Sequence, residues 1–149
     1  ADLRADGKLR AGVLRAAGRV FTSETDTEIV AHLVDEALKQ GAKTLADAVR
    51  KALRQVEGTY AIVVVSDDHK DEIVAAKHAS PLVVGLGNGE NFLASDAPAL
   101  LEHTRRVIFL EDGDVVRLTR GGLEITDLDG KKLARPERTI AWDAAQAEK

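Results

Sequence analysis

Along the first 58 residues, apolar positions repeat at three- and four-residue steps; from Thr59 onward they form short extended runs. Leu9, Val13 and Ala16 or Ala17 have helical spacing, with Gly18 as a stop. The piece Arg19-Val20-Phe21-Thr22 reads as extended. Thr25 followed three residues later by Glu28 has the form of a capping box, so a helix is predicted from near Asp26. Ile29, Val30, Leu33, Val34, Ala37 and Leu38 make its apolar stripe, and Gly41 ends it. Thr44, with Asp47 three residues on, opens a second helix. That helix carries Leu45, Val49, Leu53 and Val56 on one face and stops near Gly58. Joined by a short turn, the two helices should lie side by side.

The period then changes. Tyr60-Ala61-Ile62-Val63-Val64-Val65 is apolar on both faces, as in a strand covered on both sides. Asp71 to His78 and Pro81 to Leu86 read as the next strands. Asn88-Gly89 is a two-residue hairpin signal between Leu86 and Asn91-Phe92-Leu93-Ala94, a turn whose two positions call for positive φ. Asp96 and Pro98 open a short helix. Val107-Ile108-Phe109-Leu110 should turn at Asp112-Gly113 into Val115-Val116-Arg117-Leu118. Gly121-Gly122 and Asp129-Gly130 make further turns, so an antiparallel meander is expected. The tail from Pro136 reads as an edge strand and a connector. Helices followed by antiparallel strands give an α+β class, and the doubly apolar central strand requires a layer on each side. A helix-covered two-sheet sandwich is the predicted architecture. The 149 residues read as one domain: 1–58 mainly helical, 59–135 mainly antiparallel strands, 136–149 a connector.

Composition narrows the chemistry. Apolar residues make up 44% and aromatics only 3%, so the core should be aliphatic. A chain of this length buries well over half its surface on folding and needs no disulfide or metal to do so. There is no cysteine, which excludes thiolate metal sites and a cysteine nucleophile within these residues. The net charge is −4, and Arg105-Arg106 is too short to form a basic stripe, so nucleic acid is not an expected partner. No apolar run has the length of a membrane span, and Ala1-Asp2-Leu3-Arg4 does not open a signal peptide. A soluble, cytoplasmic protein without a membrane partner is expected.

Gly85-Leu86-Gly87-Asn88-Gly89-Glu90 has the look of a phosphate loop but lacks the dinucleotide spacing, and a strand follows it, so the hairpin reading is preferred. His32, His69, His78 and His103 share no metal-ligand spacing. Ser23, Ser66, Ser80 and Ser95 lack the Gly-x-Ser-x-Gly elbow. Neither a metal nor another cofactor is expected. The cluster Glu24, Asp26, Glu28 has two readings. Acids in a first helical turn complement the macrodipole and cap free amides; alternatively, one of them receives a cationic group such as an amino acid's ammonium. Spacing leaves both open.

Ser23-Glu24-Thr25-Asp26-Thr27-Glu28 with Ile29-Val30-Ala31-His32-Leu33 closely resembles a segment of the glutaminase domains of glutamine–fructose-6-phosphate aminotransferases. Further blocks match in the same order. They are Ala79-Ser80-Pro81-Leu82-Val83-Val84-Gly85-Leu86-Gly87, Glu90 to Asp96, Leu101-Glu102-His103-Thr104-Arg105-Arg106, and Phe109 to Gly113. Purine-pathway amidotransferases share the Thr-Asp-Thr-Glu helix start, but the later blocks are similar to the hexosamine family. The resemblance runs from about residue 9 to the end and implies an N-terminal-nucleophile-hydrolase fold, an α/β/β/α sandwich of two antiparallel sheets.

The resemblance also implies hydrolysis of glutamine to glutamate and ammonia, with the ammonia used by a separate sugar-phosphate isomerase domain. In that family an N-terminal cysteine attacks the amide and lends its α-amino group as base, which fixes nucleophile and base covalently in one residue. An Asn-Gly pair supplies oxyanion donors, an Arg holds the substrate carboxylate, and an Asp holds its ammonium. Only the last maps here, onto Asp26. Where the family carries His-Asn-Gly-Ile-Ile-Glu-Asn, this sequence has Ala1-Asp2-Leu3-Arg4-Ala5-Asp6-Gly7-Lys8. The expectation is a C-terminal portion of a glutaminase domain, without catalytic residues and inactive alone. Its expected partners are glutamine, bound weakly if at all, and a complementary N-terminal half or further copies of itself. The alternative is a non-catalytic, truncated or engineered glutaminase-like module serving folding, binding or oligomerisation.

Overall fold

A computed structural model of the chain describes residues 10–12 and 24–141, and of residues 10–12 and 24–28 the backbone alone. Helix α1 (Glu24–Lys39) and helix α2 (Leu45–Leu53) are joined through residues 40–44. Gly41 ends α1 at φ +100°; its N–H donates to the Leu38 carbonyl at 3.1 Å, and Ala42 N–H donates to the Ala37 carbonyl at 3.0 Å. This pair of bonds is the Schellman closure, which needs a residue at positive φ. Thr44 caps α2 as read from the sequence, its hydroxyl accepting from Asp47 N–H at 3.0 Å. The helices pack side by side, burying Val30, Val34 and Ala37 of α1 and Leu45, Val49 and Leu53 of α2.

The strands are β1 (Arg10–Gly12), β2 (Tyr60–Val65), β3 (Glu72–His78), β4 (Val83–Leu86), β5 (Asn91–Ala94), β6 (Arg106–Phe109), β7 (Val115–Thr119), β8 (Gly122–Thr126), β9 (Lys132–Leu133) and β10 (Arg138–Thr139). Six form one sheet in the order β1-β2-β3-β7-β8-β9, and four form another in the order β10-β6-β4-β5. Neighbouring strands in both sheets run antiparallel. Tyr60, Ile62, Val64, Val74, Ala76 and Val115 of the larger sheet pack against the two helices. The alternate residues Val63, Ala75, Val116 and Leu118 meet Leu82, Val84 and Ile108 between the sheets. Both faces of β2 are therefore covered, which is why it reads as an unbroken apolar run. The far face of the smaller sheet is covered by a 3-10 turn at Pro98–Leu100 with Ile140 and Leu101.

Several expectations require correction. The helical spacing around Leu9 to Ala17 does not hold at Arg10–Gly12, which form β1 on the edge of β2, with Arg10 opposite Val65. Backbone pairing with an open strand edge outweighs a weak local period there; the rest of that segment lies outside the described residues. Helix α1 begins at Glu24, so Thr25 lies inside the helix rather than capping it. Ile29 sits at the margin of the stripe and is 48% exposed. Helix α2 ends at Leu53, and Gly58 (φ +103°) turns the chain into β2. In the β4–β5 hairpin only Gly89 has positive φ, at +75°.

Asp112-Gly113 is not a hairpin turn. Strand β6 pairs with β4 and β10, whereas β7 pairs with β3 and β8, so the segment between them crosses from one sheet to the other. Asp112 carboxylate accepts Ala79 N–H at 2.8 Å and pairs with Lys77 Nζ at 2.6 Å, and Gly113 N–H donates to the Lys77 carbonyl at 3.0 Å. Those bonds tie the crossing to the end of β3, and the meander holds only for β7-β8-β9. The tail does supply an edge strand, β10; residues 142–149 lie outside the described residues.

Candidate functional site

The helices' direction decides where the acidic first turn of α1 lies. Leu45 N–H, at the start of α2, donates at 3.4 Å to Oε1 of Glu72, the first residue of β3. Arg54, just past the end of α2, donates to the Leu128 carbonyl at 2.9 Å, beyond the last residue of β8. So α2 runs from the Glu72 end of the sheet toward the end where Tyr60 pairs with His78. Helix α1 returns antiparallel, and its first turn, with Glu24, Asp26 and Glu28, lies at the Tyr60–His78 end. Sixteen residues of α1 span about 24 Å against about 14 Å for α2, so that turn projects beyond α2.

The same end carries several polar groups. The rings of Tyr60 and His78 lie 6.0 Å apart, with Tyr60 buried and His78 exposed. Burial, and then the nearby Asp112 charge, push the Tyr60 phenol above its ordinary value. The Asp112 carboxyl is held below its ordinary value by the hydrogen bond from Lys77 and then by Ala79 N–H. Ala79 itself sits at φ +56°, the left-handed region that side-chain-bearing residues rarely occupy. A carboxylate on a helix start here could hold an ammonium group. The side chains of Glu24, Asp26 and Glu28 lie outside the described residues, so Asp26 is placed by its backbone alone.

At the opposite end a cleft of about 470 Å³ opens between the sheets, with Ile73 and Leu118 on its floor and Lys70, Arg120, Glu90 and Asn91 at its rim. Below it, on the helix face, Glu72 is buried and receives Arg117 Nε, the Leu45 amide and His69 Nδ1, the last at 3.2 Å. This network fixes the start of α2. A second buried carboxylate, Asp114 at 1% exposure, takes two hydrogen bonds from Arg135 at 2.8 and 2.9 Å and one from Glu111 N–H at 2.8 Å. It anchors the chain after β9 to the crossing between sheets. Neither network was read from the sequence, because each joins residues far apart along the chain. Regular alternation carries no signal for such pairs.

The remaining sequence motifs resolve into packing. A Cβ on Gly85 would lie 2.9 Å from the Thr104 methyl, and one on Gly87 would lie 2.8 Å from the Glu90 carbonyl oxygen. Both glycines are there for close approach within the hairpin and its cover. The four histidines occupy separate settings: His32 on α1, His69 against Glu72, His78 against Tyr60, and His103 stacked on Phe92 at 4.9 Å. Among the described residues no three His, Asp or Glu side chains gather as a metal site.

Comparison with known proteins adds the following. A family model described as a glutamine amidotransferase domain matches residues 6–102. A glutamine–fructose-6-phosphate aminotransferase (isomerizing) of Thermus thermophilus is 59% identical over 136 residues, covering 91% of this chain and 22% of the relative. The enzyme of the same name from Escherichia coli is 50% identical over 133 residues, covering 88% of this chain and 22% of the relative. The chain thus spans about a fifth of the length of these relatives. Among solved structures, glutamine phosphoribosylpyrophosphate amidotransferase from B. subtilis, complexed with ADP and GMP, aligns with TM-score 0.61 at 24% identity. That alignment covers 74% of this chain and 24% of the other. The allosteric regulatory enzyme of purine biosynthesis aligns with TM-score 0.59 at 22% identity, covering 80% of this chain and 27% of the other. At such identity the likeness shows the fold: an α+β, partial N-terminal-nucleophile-hydrolase-like sandwich with two antiparallel sheets.

Proposed function

Because the chain belongs to the family of glutamine amidotransferase domains, we propose that its 149 residues are the C-terminal portion of the glutamine-hydrolysing domain of a glutamine–fructose-6-phosphate aminotransferase. The observation that carries this reading is 59% identity over 136 residues to an enzyme of that name. The parent reaction releases ammonia from glutamine for transfer to a sugar phosphate on a separate isomerase domain, in a cytoplasmic enzyme of amino-sugar synthesis. Within these residues Asp26 receives the substrate's ammonium. Its place on the projecting first turn of α1 supports that role, since a helix start is open to a ligand and its carboxylate supplies the opposite charge.

These residues alone do not hydrolyse glutamine. In the family a cysteine thiol attacks the amide, and the 149 residues contain no cysteine. Nor do they contain an Asn-Gly pair free to act as oxyanion donor: their one Asn-Gly, Asn88-Gly89, turns the β4–β5 hairpin. Glutamine binding through Asp26 alone is weak, because a single ion pair in water contributes at most about 1 kcal/mol. The test incubates the purified chain with glutamine, measures ammonia against a boiled control, and titrates glutamine by calorimetry. We expect no ammonia and at most millimolar-range affinity. Ammonia above the control refutes the inactivity, and tight binding that survives Asp26→Ala refutes the assigned ammonium site. The zero cysteine count also favours a second reading, a non-catalytic glutaminase-like module retained for folding, binding or assembly.

A further inference from the structure

Three steps from Asn or Asp into Gly lie among the described residues: Asn88-Gly89, Asp112-Gly113 and Asp129-Gly130. Such steps share a latent reaction. With no Cβ on the glycine, its backbone nitrogen can approach the carbonyl carbon of the preceding side chain and close a cyclic imide. The approach requires the glycine N–H to leave any hydrogen bond it makes and its peptide plane to rotate.

The fold holds two of these glycines back. Gly113 N–H donates to the Lys77 carbonyl at 3.0 Å, and the Asp112 carboxylate is itself engaged by Lys77 and by Ala79 N–H. Gly130 N–H donates to the Asp127 carbonyl at 3.1 Å. Gly89 differs. Among the described residues neither its N–H nor the Asn88 side-chain amide has a hydrogen-bond partner. A Cβ built on Gly89 would meet nothing within 4 Å, so the nitrogen is not crowded by its surroundings. The loop between β4 and β5 is closed on its flanks instead, where Gly87 N–H donates to the Glu90 carbonyl at 2.9 Å.

We propose that Asn88 is a site of spontaneous deamidation, with Gly89 as the attacking residue and water as the co-reactant. The Gly89 nitrogen loses its proton and bonds to Asn88 Cγ. The Cγ–Nδ2 bond breaks, and the amide leaves as ammonia, carrying that proton. Water then opens the imide at either carbonyl. Cleavage at Cγ gives aspartate, and cleavage at the main-chain carbonyl gives isoaspartate, with the chain now running through the former side chain. Both products add a negative charge next to Glu90, on the rim of the cleft bordered by Lys70 and Arg120. Isoaspartate also adds a methylene to the main chain of the loop that the Gly87–Glu90 bond closes. The reaction needs only this dipeptide and water, so it does not depend on what else packs against the sheet. It consumes no glutamine, and its failure would leave the glutaminase reading untouched.

Asn91 is the internal reference, being the other asparagine of the chain. Its following residue is Phe92, which has a side chain and pairs with Gly85. Pairs alternate along an antiparallel ladder, so the bonded Gly87–Glu90 pair makes Gly85–Phe92 bonded as well and holds the Phe92 N–H in the sheet. Incubating the full chain without glutamine and mapping its peptides by mass spectrometry with electron-transfer fragmentation tests the proposal. The exchange of –NH2 for –OH should accumulate at Asn88 at least about tenfold faster than at Asn91, a barrier lower by about 1.4 kcal/mol. It should speed up as the pH rises and yield both aspartate and isoaspartate. Asn88→Gln should abolish it, because the longer side chain closes a larger ring more slowly. Urea-unfolded chain supplies the measure of the fold's effect: folding should slow isoaspartate formation at Asp112 and Asp129 about tenfold or more, and slow Asn88 by less. Conversion at Asn88 no faster than at Asn91 overturns the proposal. So does aspartate formed without isoaspartate, or protection of Asn88 by folding as strong as that of the two Asp-Gly steps.

Discussion

The outer faces of the two sheets are built to different standards. On the larger sheet, α1 and α2 cover Tyr60, Ile62, Val64, Val74, Ala76 and Val115, all at 4% exposure or less. On the smaller sheet, a single 3-10 turn with Ile140 covers Val83 and Val107, while Phe109, opposite Val83 on the same face, is 44% exposed. The first face is a closed helix-on-sheet layer. Among the described residues the second is covered only over its middle, and no strand pairs with the outer edge of β5 beside it. Stability should therefore be concentrated in the helix-covered layer, with the thinly covered sheet tolerating change.

Truncating one residue on each face is the strongest test of that difference. Leu45 is fully buried between α2 and the larger sheet, and alanine suits its helical position. Leu45→Ala loses transfer free energy and leaves a cavity, which together cost about 2–5 kcal/mol. Phe109→Ala removes more atoms but exposes little that was dry, and should cost about 1 kcal/mol or less. Urea midpoints of the two variants report the ratio directly. Equal losses would mean that the smaller sheet is as tightly covered as the larger.

What the sequence revealed divides along the same line. Helix α2, its Thr44 cap, the Gly41 stop and the doubly covered β2 were legible, because each depends on local chemistry or on a period that burial imposes. The switch between sheets at Asp112-Gly113 was not. An Asp-Gly dipeptide signals a reversal, but the partner of the next strand is chosen by contacts far along the chain, here Lys77 and Ala79. Arg10–Gly12 failed for a related reason, since strand addition at the edge of β2 leaves no trace in a three-residue pattern. The candidate site was legible only as an acidic helix start. Tyr60, His78 and Asp112, at the same end of the sheet, come from three separate segments, and only the fold brings them together.

The crossing between sheets should register in acid. Asp112 has its carboxyl pKa depressed by Lys77 and by the Ala79 amide. A depressed folded-state pKa adds stability that is fully present above the ordinary carboxylate value of 3.8 and is lost as the pH falls through the lower folded value. The side chain is half exposed, so solvent screening limits the contribution to under about 1 kcal/mol. Asp112→Asn should lower stability modestly at neutral pH and flatten the acid limb of the stability–pH curve below 3.8. An unchanged acid limb would mean that the Lys77–Asp112–Ala79 link adds nothing to the joining of the sheets.

The smallest effect should have the opposite sign. Ala79 is exposed and holds φ +56° because Asp112 takes its N–H at 2.8 Å, and the chain must turn there from β3 toward β4. A Cβ in the left-handed region costs roughly 1–2 kcal/mol. Glycine removes that cost but loses more backbone freedom on folding, which returns about 0.4–1 kcal/mol to the unfolded state. Ala79→Gly should therefore stabilise the protein by about 0.5–1 kcal/mol, seen as a higher urea midpoint at unchanged slope. If Asp112→Asn is already in place, the carboxylate no longer holds the strained conformation so firmly and the gain from glycine should shrink. A gain of the same size in both backgrounds would mean that the turn's geometry, rather than the Asp112 bond, sets the strain at residue 79.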